Sequence, residues 1–318
     1  MKSCCHKASF IIFHILFLVV VALSGHVTWI EAQTPDRNIA LTFDDLPSLG
    51  PLGYWRPRQI SRPVLRTLAN HPIQAAGFVV GEKIDDDSSN FVVIEDWALQ
   101  GHILGNQTYA DVDLNELDAN DFLEYVADGQ NYLRRLSRAF KFDYRYLRFP
   151  FLHQGNTKRN KERVSKALDK ADYKIAHVTV KTSDYRFNQF YIEREGDPEK
   201  LSELKTLYLE HITRALEYAE SQSEAVFGRN INHIVWLRCG IATAQFLEDL
   251  IAQLHNRGYQ LISFKEALSD PAFQTKESYV GPLSLSFIDR VAATRGLPFD
   301  PKEGELTRRD LQRLIDSE

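Results

Sequence analysis

The stretch NIALTFDD, residues 38–45, decides the fold of this chain. Its apolar run is typical of a short buried strand, and it ends in two adjacent aspartates, Asp44 and Asp45. In parallel α/β folds the reactive side chains gather where strands end and loops begin. Two carboxylates that follow a buried strand are costly unless they are paired, hydrogen-bonded or bound to a metal. Taken alone, the pair also fits a helix cap or a turn.

Strand-like and helix-like segments alternate after this stretch, and no fixed-period repeat is visible. The alternation predicts an α/β fold with a mostly parallel sheet. It stops at Pro271, so we expect the main domain to span residues 36–270 and residues 271–318 to form a C-terminal extension packed on it. The predicted strands cover residues 38–43, 75–80, 103–104, 146–149, 174–180, 233–237 and 259–262. The predicted helices cover residues 60–68, 91–100, 117–140, 158–171, 199–222, 244–256 and 284–295.

The composition is that of an ordinary globular protein. The 318 residues are 44% hydrophobic and 25% charged, which excludes a disordered or fibrous chain. The net charge of −5 leaves no basic surplus for a phosphate backbone, so nucleic-acid binding is disfavoured. Cys239 is the one cysteine outside residues 1–32, which excludes an internal disulfide or a thiolate-rich zinc site in the body of the protein.

Residues 1–32 have the layout of a secretory signal peptide. Lys2 and Lys7 precede an apolar run, and small residues such as Ala32 follow it as candidate cleavage positions. The run nearly reaches the length that spans a bilayer, so a retained membrane anchor is the alternative. Either interpretation places the folded part in the periplasm or outside the cell, and contact with a membrane is expected only if the leader is retained.

Thr42-Phe43-Asp44-Asp45 resembles the first motif of the polysaccharide deacetylases, the NodB homology domain of carbohydrate esterase family 4. The resemblance implies a distorted (β/α) barrel of the NodB type. It also implies that Asp44 is the general base, that Asp45 is a metal ligand, and that Arg148 orients the base. Active relatives hold a divalent metal, usually zinc, and hydrolyse carbon–nitrogen bonds of acetylated polysaccharides or oligosaccharides. Further matching segments follow in the expected order at residues 101–106, 148–155, 178–185, 234–237 and 257–268.

This chain departs from the family pattern at the positions that hold the metal. The second motif reads His-(Ser/Thr)-x-x-His in active members, and Gln107 and Asp111 replace the two histidines here. The fifth motif supplies a histidine as general acid, and Arg238 stands at that position. Lys181 replaces the acidic residue that opens the fourth motif, which ends in Asp184 and Tyr185. The exchanges predict reduced or absent catalysis.

The replaced residues do not suit zinc. Zinc prefers imidazole or thiolate ligands, whereas Asp45, Gln107 and Asp111 offer oxygen atoms alone, which suit calcium or magnesium better. No cofactor other than such a divalent metal is expected. An arginine side chain keeps its proton near neutral pH, so Arg238 cannot act as general acid.

The exchanged charges lead to a specific hypothesis about the pocket. Three acids, Asp44, Asp45 and Asp111, are expected to face three bases, Arg148, Lys181 and Arg238. We predict that Arg238 replaces the charge of the metal through bidentate contact with one or more of these aspartates. The alternative is that Arg238 points to solvent.

Other pocket candidates have two interpretations each. His153 follows the third motif and either binds substrate or is merely structural or exposed. Four aromatic side chains either form a floor on which sugar rings stack or belong to the core, namely Tyr109, Phe149, Phe151 and Tyr185.

Three hypotheses about function remain open at this point. The protein is an exported relative that lost its metal site and binds an acetylated glycan, or it is an active N- or O-deacetylase with an altered site. The third alternative is a membrane-anchored scaffold with a vestigial cleft.

Overall fold

A computed structural model describes residues 37–50, 55–302 and 304–316. The leader that the sequence predicts at residues 1–32 lies outside these ranges. Within them, none of the helices has the length and apolar character needed to cross a membrane.

The sheet consists of parallel strands, several of them very short. The strands are β1 (Asn38–Leu46), β2 (Ala76–Val79), β3 (Ile103–Asn106), β4 (Tyr146–Leu147), β5 (Lys174–Ile175), β6 (Val180–Lys181), β7 (His233–Arg238) and β8 (Gln260–Leu261). The helices are α1 (Pro57–Asn70), α2 (Glu82–Asp86), α3 (Asn90–Leu99), α4 (Ala119–Phe140), α5 (Lys158–Lys170), α6 (Tyr185–Glu193), α7 (Pro198–Phe227), α8 (Ile241–Asn256), α9 (Phe264–Ala267), α10 (Phe287–Arg295) and α11 (Arg308–Asp316).

The strand order shows an incomplete barrel. The strands lie in the order β5-β4-β3-β2-β1-β7-β6, and β8 pairs with the first residues of β1. No strand pairing joins β5 to β6 in the part of the chain that the structure describes, so the curled sheet stays open there. This arrangement confirms the predicted α/β fold and the distorted (β/α) barrel.

Strand β1 lies at the centre of the sheet because it is apolar on both faces. Ala40 and Leu41, whose side chains point to opposite faces, are both fully buried, as expected for a parallel strand that is covered on both sides. β1 pairs with β7 in a register that places Asp44 beside Arg238. The carboxyl ends of these two strands therefore bring a carboxylate and a guanidinium to the same edge of the sheet.

The C-terminal extension covers the open side of the barrel. The amide of Phe287 donates to the carbonyl of Val178 at 2.7 Å, between β5 and β6. The Phe287 ring packs against His177, with ring centroids 4.5 Å apart. The Tyr218 hydroxyl of α7 donates to Asp289 of α10 at 2.7 Å. Residues 174–180, predicted as one strand, form two short strands, and the loop between them accepts a hydrogen bond from the Phe287 amide.

Helix α6 was not predicted from the sequence, although it follows directly on the fourth motif. Its first residue, Tyr185, was assigned to the motif alone. The segment 185–193 buries Phe187, Asn188 and Tyr191, and the polar Asn188 and Gln189 interrupt its apolar residues.

Candidate functional site

A cleft of about 490 Å³ opens at the carboxyl ends of the strands. Most of the predicted site residues line it: Asp45, Gln107, Asp111, Phe151, His153, Lys181, Tyr185 and Arg238. Asp44, Arg148 and Asp184 are not among its lining residues, and all three are buried. The site therefore has an accessible wall and a buried layer beneath it.

Asp44 is buried and held from two sides. The Arg148 Nε lies 3.2 Å from Asp44 Oδ1, and the Trp236 Nε1 donates to Asp44 Oδ2 at 2.6 Å. Burial raises the pKa of Asp44 to about 6, and the Asp45 charge adds to this rise, while Arg148 and Arg238 oppose it. Asp44 therefore has a protonation equilibrium near neutral pH, as a general base requires.

Arg148 occupies the position that the sequence predicts for orienting Asp44. Its Nη2 donates to the Thr42 hydroxyl at 2.9 Å, and its guanidinium lies 4.4 Å from the centre of the Phe78 ring. Burial lowers the pKa of Arg148 to about 10, and the Asp44 charge opposes this effect. Arg148 thus remains charged at neutral pH and balances Asp44.

The Gln107 amide connects the three residues at the predicted metal position. Its Oε1 accepts from the backbone amide of Asp45 at 2.8 Å, and its Nε2 donates to Asp45 Oδ1 at 3.1 Å. The same Nε2 donates to Asp111 Oδ1 at 3.4 Å. Burial and the nearby Asp45 charge raise the pKa of Asp111 to about 6. An N–H donor therefore lies between the two carboxylates.

The Gln107 loop is held against helix α4 by a glycine. A Cβ on Gly129 would lie 2.5 Å from the backbone carbon of Thr108, so a glycine is needed for this close approach. The Asn106 side chain also accepts from the Thr108 amide at 2.9 Å. The Gln107 side chain consequently extends from a firmly packed backbone.

The donor set does not fit a divalent metal. A metal ligand must present a lone pair, but Gln107 presents its NH₂ group to both carboxylates and its oxygen is already hydrogen-bonded. A lysine, Lys83, also lies with its Nζ 3.7 Å from Asp45 Oδ1. Across the described ranges, no group of three or more His, Cys, Asp and Glu side chains is placed to hold a metal ion.

Sequence reasoning missed Lys83. It lies on α2, directly after β2, and the end of β2 is at the same edge of the sheet as the ends of β1 and β3. Its position after a strand was therefore an available signal.

Arg238 pairs with Asp184 and not with the aspartates that the sequence suggested. Its Nη1 donates to Asp184 Oδ1 at 2.9 Å, and its backbone amide donates to Asp184 Oδ2 at 2.7 Å. No hydrogen bond or ion pair within the described residues links Arg238 to Asp44, Asp45 or Asp111. The predicted contact is therefore wrong, because the loop after β6 brings a buried carboxylate closer to the guanidinium.

Trp236 connects the two buried ion pairs. The Arg238 guanidinium lies 3.5 Å from the centre of the Trp236 ring, and the indole N–H donates to Asp44. Residues 236 and 238 share one face of β7 because side chains alternate along a strand. This alternation was the signal in the sequence that could have identified Trp236.

Lys181 pairs with the C-terminal extension. Its Nζ lies 2.7 Å from Glu305 Oε1 and donates to the carbonyl of Ser284 at 3.0 Å. The expectation that Lys181 faces Asp44, Asp45 and Asp111 is therefore also wrong. The extension instead contributes one wall of the cleft, since Ser284 and Glu305 line it.

The aromatic candidates divide into cleft and core. Phe151 and Tyr185 line the cleft and are 47% and 43% exposed. Phe149 is buried and stacks on Phe122, so it belongs to the core. The Tyr109 hydroxyl donates to Asp85 at 3.0 Å, outside the cleft lining.

His153 lies in the cleft wall beside an acidic partner. Its Nδ1 is 2.8 Å from Asp113 Oδ2. This contact fixes one ring nitrogen and leaves the other for a ligand in the cleft.

Comparisons with known proteins agree with this geometry. Residues 31–176 match the sequence profile of polysaccharide deacetylases. The chain thus matches the polysaccharide deacetylase family over somewhat less than half of its length. Over 98 residues it is 33% identical to the chitooligosaccharide deacetylase of Rhizobium leguminosarum bv. trifolii, a match that covers 31% of this chain and 40% of that protein. The matches span 32–40% of the length of the curated relatives.

Two solved structures support the fold of this chain. The chitin deacetylase of the fungal pathogen Colletotrichum lindemuthianum has a TM-score of 0.51 and 23% identity, over 74% of this chain and 89% of that one. A mutant of a carbohydrate esterase family 4 pseudoenzyme with restored enzymatic activity also has a TM-score of 0.51, at 18% identity, over 74% of this chain and 68% of that one. At 18% and 23% sequence identity, these two similarities are evidence for a shared fold alone.

Proposed function

We propose that this protein is an exported member of the polysaccharide deacetylase family that binds an acetylated polysaccharide or oligosaccharide and has lost metal-dependent hydrolysis. The observation that carries this proposal is the Gln107 amide, whose Nε2 donates to both Asp45 and Asp111. A donor between two carboxylates substitutes for a cation and does not bind one.

The other parts of a deacetylation site support the same conclusion. Amide hydrolysis needs a polarised water, a base that reaches it, and an acid for the leaving amine. Asp44 is 1% exposed and already has contacts at both carboxylate oxygens. Arg238 holds its protons near neutral pH and cannot serve as the acid.

The cleft keeps features that suit a sugar chain. Phe151 and Tyr185 present half-exposed rings on which pyranose faces can pack. His153 and Ser183 add polar groups to the lining. A cleft with aromatic walls and a few directed polar groups is typical of a small-ligand or oligosaccharide site.

An active hydrolase with an altered site is the second candidate. It is favoured by the pKa of Asp44, which burial raises to about 6, together with the retained Arg148. A carboxylate with this pKa suits a general base at neutral pH.

Three measurements on the purified protein separate these functions. The protein is equilibrated with zinc, desalted and assayed for bound metal by inductively coupled plasma mass spectrometry. Acetate release and binding are then measured with the hexamer of N-acetylglucosamine, the first by an enzymatic acetate assay and the second by NMR titration. We expect binding, less than 0.1 metal ion per chain as a rough threshold, and no acetate.

Each other outcome contradicts the proposal in a distinct way. Stoichiometric zinc with acetate release supports the altered hydrolase. Absence of binding to this hexamer and to peptidoglycan fragments supports a scaffold with a vestigial cleft.

Export is part of the proposal and rests on residues 1–32. N-terminal sequencing of the protein from its native source should find a mature chain that begins near residue 33. An intact leader in the membrane fraction would support the anchored alternative.

A further inference from the structure

Lys83 is the one lysine or arginine that forms an ion pair with Asp45 in the described part of the chain. Its Nζ lies 3.7 Å from Asp45 Oδ1 and donates to the carbonyl of Ser48 at 3.4 Å. Asp45 Oδ1 is the same atom that accepts from the Gln107 amide. The ammonium group and the amide therefore share one carboxylate oxygen.

The backbone around Lys83 is fixed by the loop that follows β3 and by the first residue of α3. The Gly81 amide donates to the carbonyl of Thr108 at 3.2 Å, and the Glu82 amide donates to that of Tyr109 at 2.6 Å. A Cβ on Gly81 would lie 2.9 Å from the Tyr109 ring, so the two segments approach closely. The carbonyl of Lys83 accepts from Asn90 at 2.7 Å. These contacts place the start of α2 against the loop that carries Gln107.

Three carboxylates lie at or beneath the floor of the cleft, and each has a different positively charged partner. Arg148 forms the ion pair of Asp44. Arg238, whose carboxylate partner is Asp184, does not contact Asp45. Lys83 is thus the charge that balances Asp45, and it does so at 24% exposure of its side chain, partly shielded from water.

We propose that the Lys83 ammonium takes over the charge of the family's divalent metal at Asp45, and that it excludes a cation from this site independently of the two replaced histidines. The inference rests on the proposed loss of metal and adds a determinant that lies outside the deacetylase motifs. It follows that histidines at positions 107 and 111 alone do not create a good metal site. A fixed positive charge within about 4 Å of a ligand oxygen repels the incoming ion.

The test compares two engineered proteins. One carries Gln107→His and Asp111→His, and the other carries the same changes with Lys83→Met, which keeps the length of the side chain without its charge. Affinity for Co²⁺ and Zn²⁺ is measured by isothermal titration calorimetry, and the visible absorption of bound Co²⁺ reports its coordination geometry. We expect the triple variant to bind both metals at least tenfold more tightly, with a tetrahedral Co²⁺ spectrum.

Controls keep the test decisive if the variants differ in stability. Lys158→Met, a change at an exposed lysine of α5, replaces Lys83→Met in a matched triple variant and should leave the affinity of the histidine pair unchanged. Lys83→Arg in the same background retains the charge and should bind as weakly as the double variant. Circular dichroism confirms that each protein is folded.

Equal metal affinity with Lys83 and with methionine at position 83 would overturn the inference. So would weak binding in the triple variant when circular dichroism shows it folded. Stoichiometric metal in the unmodified protein would instead overturn the proposed function, so the two failures can be told apart.

Discussion

Asp184→Asn should lower the free energy of unfolding by about 3–5 kcal/mol, because it leaves a buried guanidinium without its carboxylate. Asp184 accepts from the Arg238 side chain and backbone, and also from Thr243 at 3.1 Å and Thr182 at 3.2 Å. The two side chains are 0% and 9% exposed, so water cannot replace the lost charge. An asparagine has the same shape, but its NH₂ group would face N–H and O–H groups that now donate to the Asp184 carboxylate.

The raised pKa of Asp184 leads to a second part of this prediction, which concerns the stability of a double variant. Burial raises this pKa above its ordinary value even though Arg238 opposes the shift. The cost of burying the charge therefore exceeds the attraction within the pair. Asp184→Asn combined with Arg238→Met removes both charges, and we expect it to recover at least half of the lost stability.

Urea denaturation followed by circular dichroism measures these free energies, and a thermal scan provides a second reading. A loss of 3–5 kcal/mol corresponds to roughly 6–20 °C at about 2–4 °C per kcal/mol. Asp143→Asn serves as the control, since this aspartate is 37% exposed beside Arg145 and should change the stability by less than about 1 kcal/mol. If Asp184→Asn costs no more than this control, or if the double variant is as unstable as the single one, the ion pair does not have the role assigned to it.

Further predictions concern pH, the cleft and packing. Burial raises the folded-state pKa of Asp44 to about 6, so its contribution to stability is present at acidic pH and is lost, by up to about 3 kcal/mol, as the pH rises from about 4 to 6. Asp44→Asn should reduce this slope in urea titrations, and the part that remains belongs to other buried carboxylates such as Asp111, whose pKa is also raised to about 6. Phe151→Ala and Tyr185→Ala should each weaken binding of the N-acetylglucosamine hexamer about three- to tenfold, as measured by NMR titration. The melting temperature should stay nearly unchanged, because both rings are half-exposed. Gly129→Ala should destabilise the protein by about 1–3 kcal/mol in urea denaturation, although alanine favours helices, because its Cβ would meet the backbone of Thr108. Glycan affinity should change less than twofold between about 50 mM and 500 mM salt if the ligand is a neutral sugar, and a steep loss would indicate an anionic one.

The sequence predicts the scaffold well because the scaffold depends on local patterns. The apolar run of β1 and the two aspartates that end it lie where parallel-sheet geometry places them. The long amphipathic pattern predicted at 117–140 forms α4, whose N-cap Asp118 accepts from the amides of Asn120 and Asp121. The ion pair of Asp44 with Arg148 also follows from the motif order.

The ion-pair partners of the other charged side chains could not be predicted from the sequence. They depend on how deeply each side chain is buried and on which residues lie opposite each other in neighbouring strands. Arg238 is adjacent to Asp44 across the β1–β7 ladder, yet the guanidinium turns over Trp236 towards Asp184. Lys181 is on the short strand β6 and reaches Glu305, more than a hundred residues further along the chain. No local pattern contains information about contacts at such separations.

The distribution of charge bears on the kind of ligand that the cleft accepts. Three cations at or beneath the floor have a carboxylate partner: Arg148 has Asp44, Lys83 has Asp45, and Arg238 has Asp184. A metal centre in this position would present an unsatisfied positive charge to the oxygen of a substrate amide, whereas a floor of paired charges presents little net field. Under the proposed function, recognition depends on the aromatic walls and on hydrogen bonds, which suits a neutral acetylated sugar better than a charged one. In the proposed function, the contacts that replace the metal charge leave the lining of the cleft in place, so loss of hydrolysis and retention of binding would follow from one set of contacts.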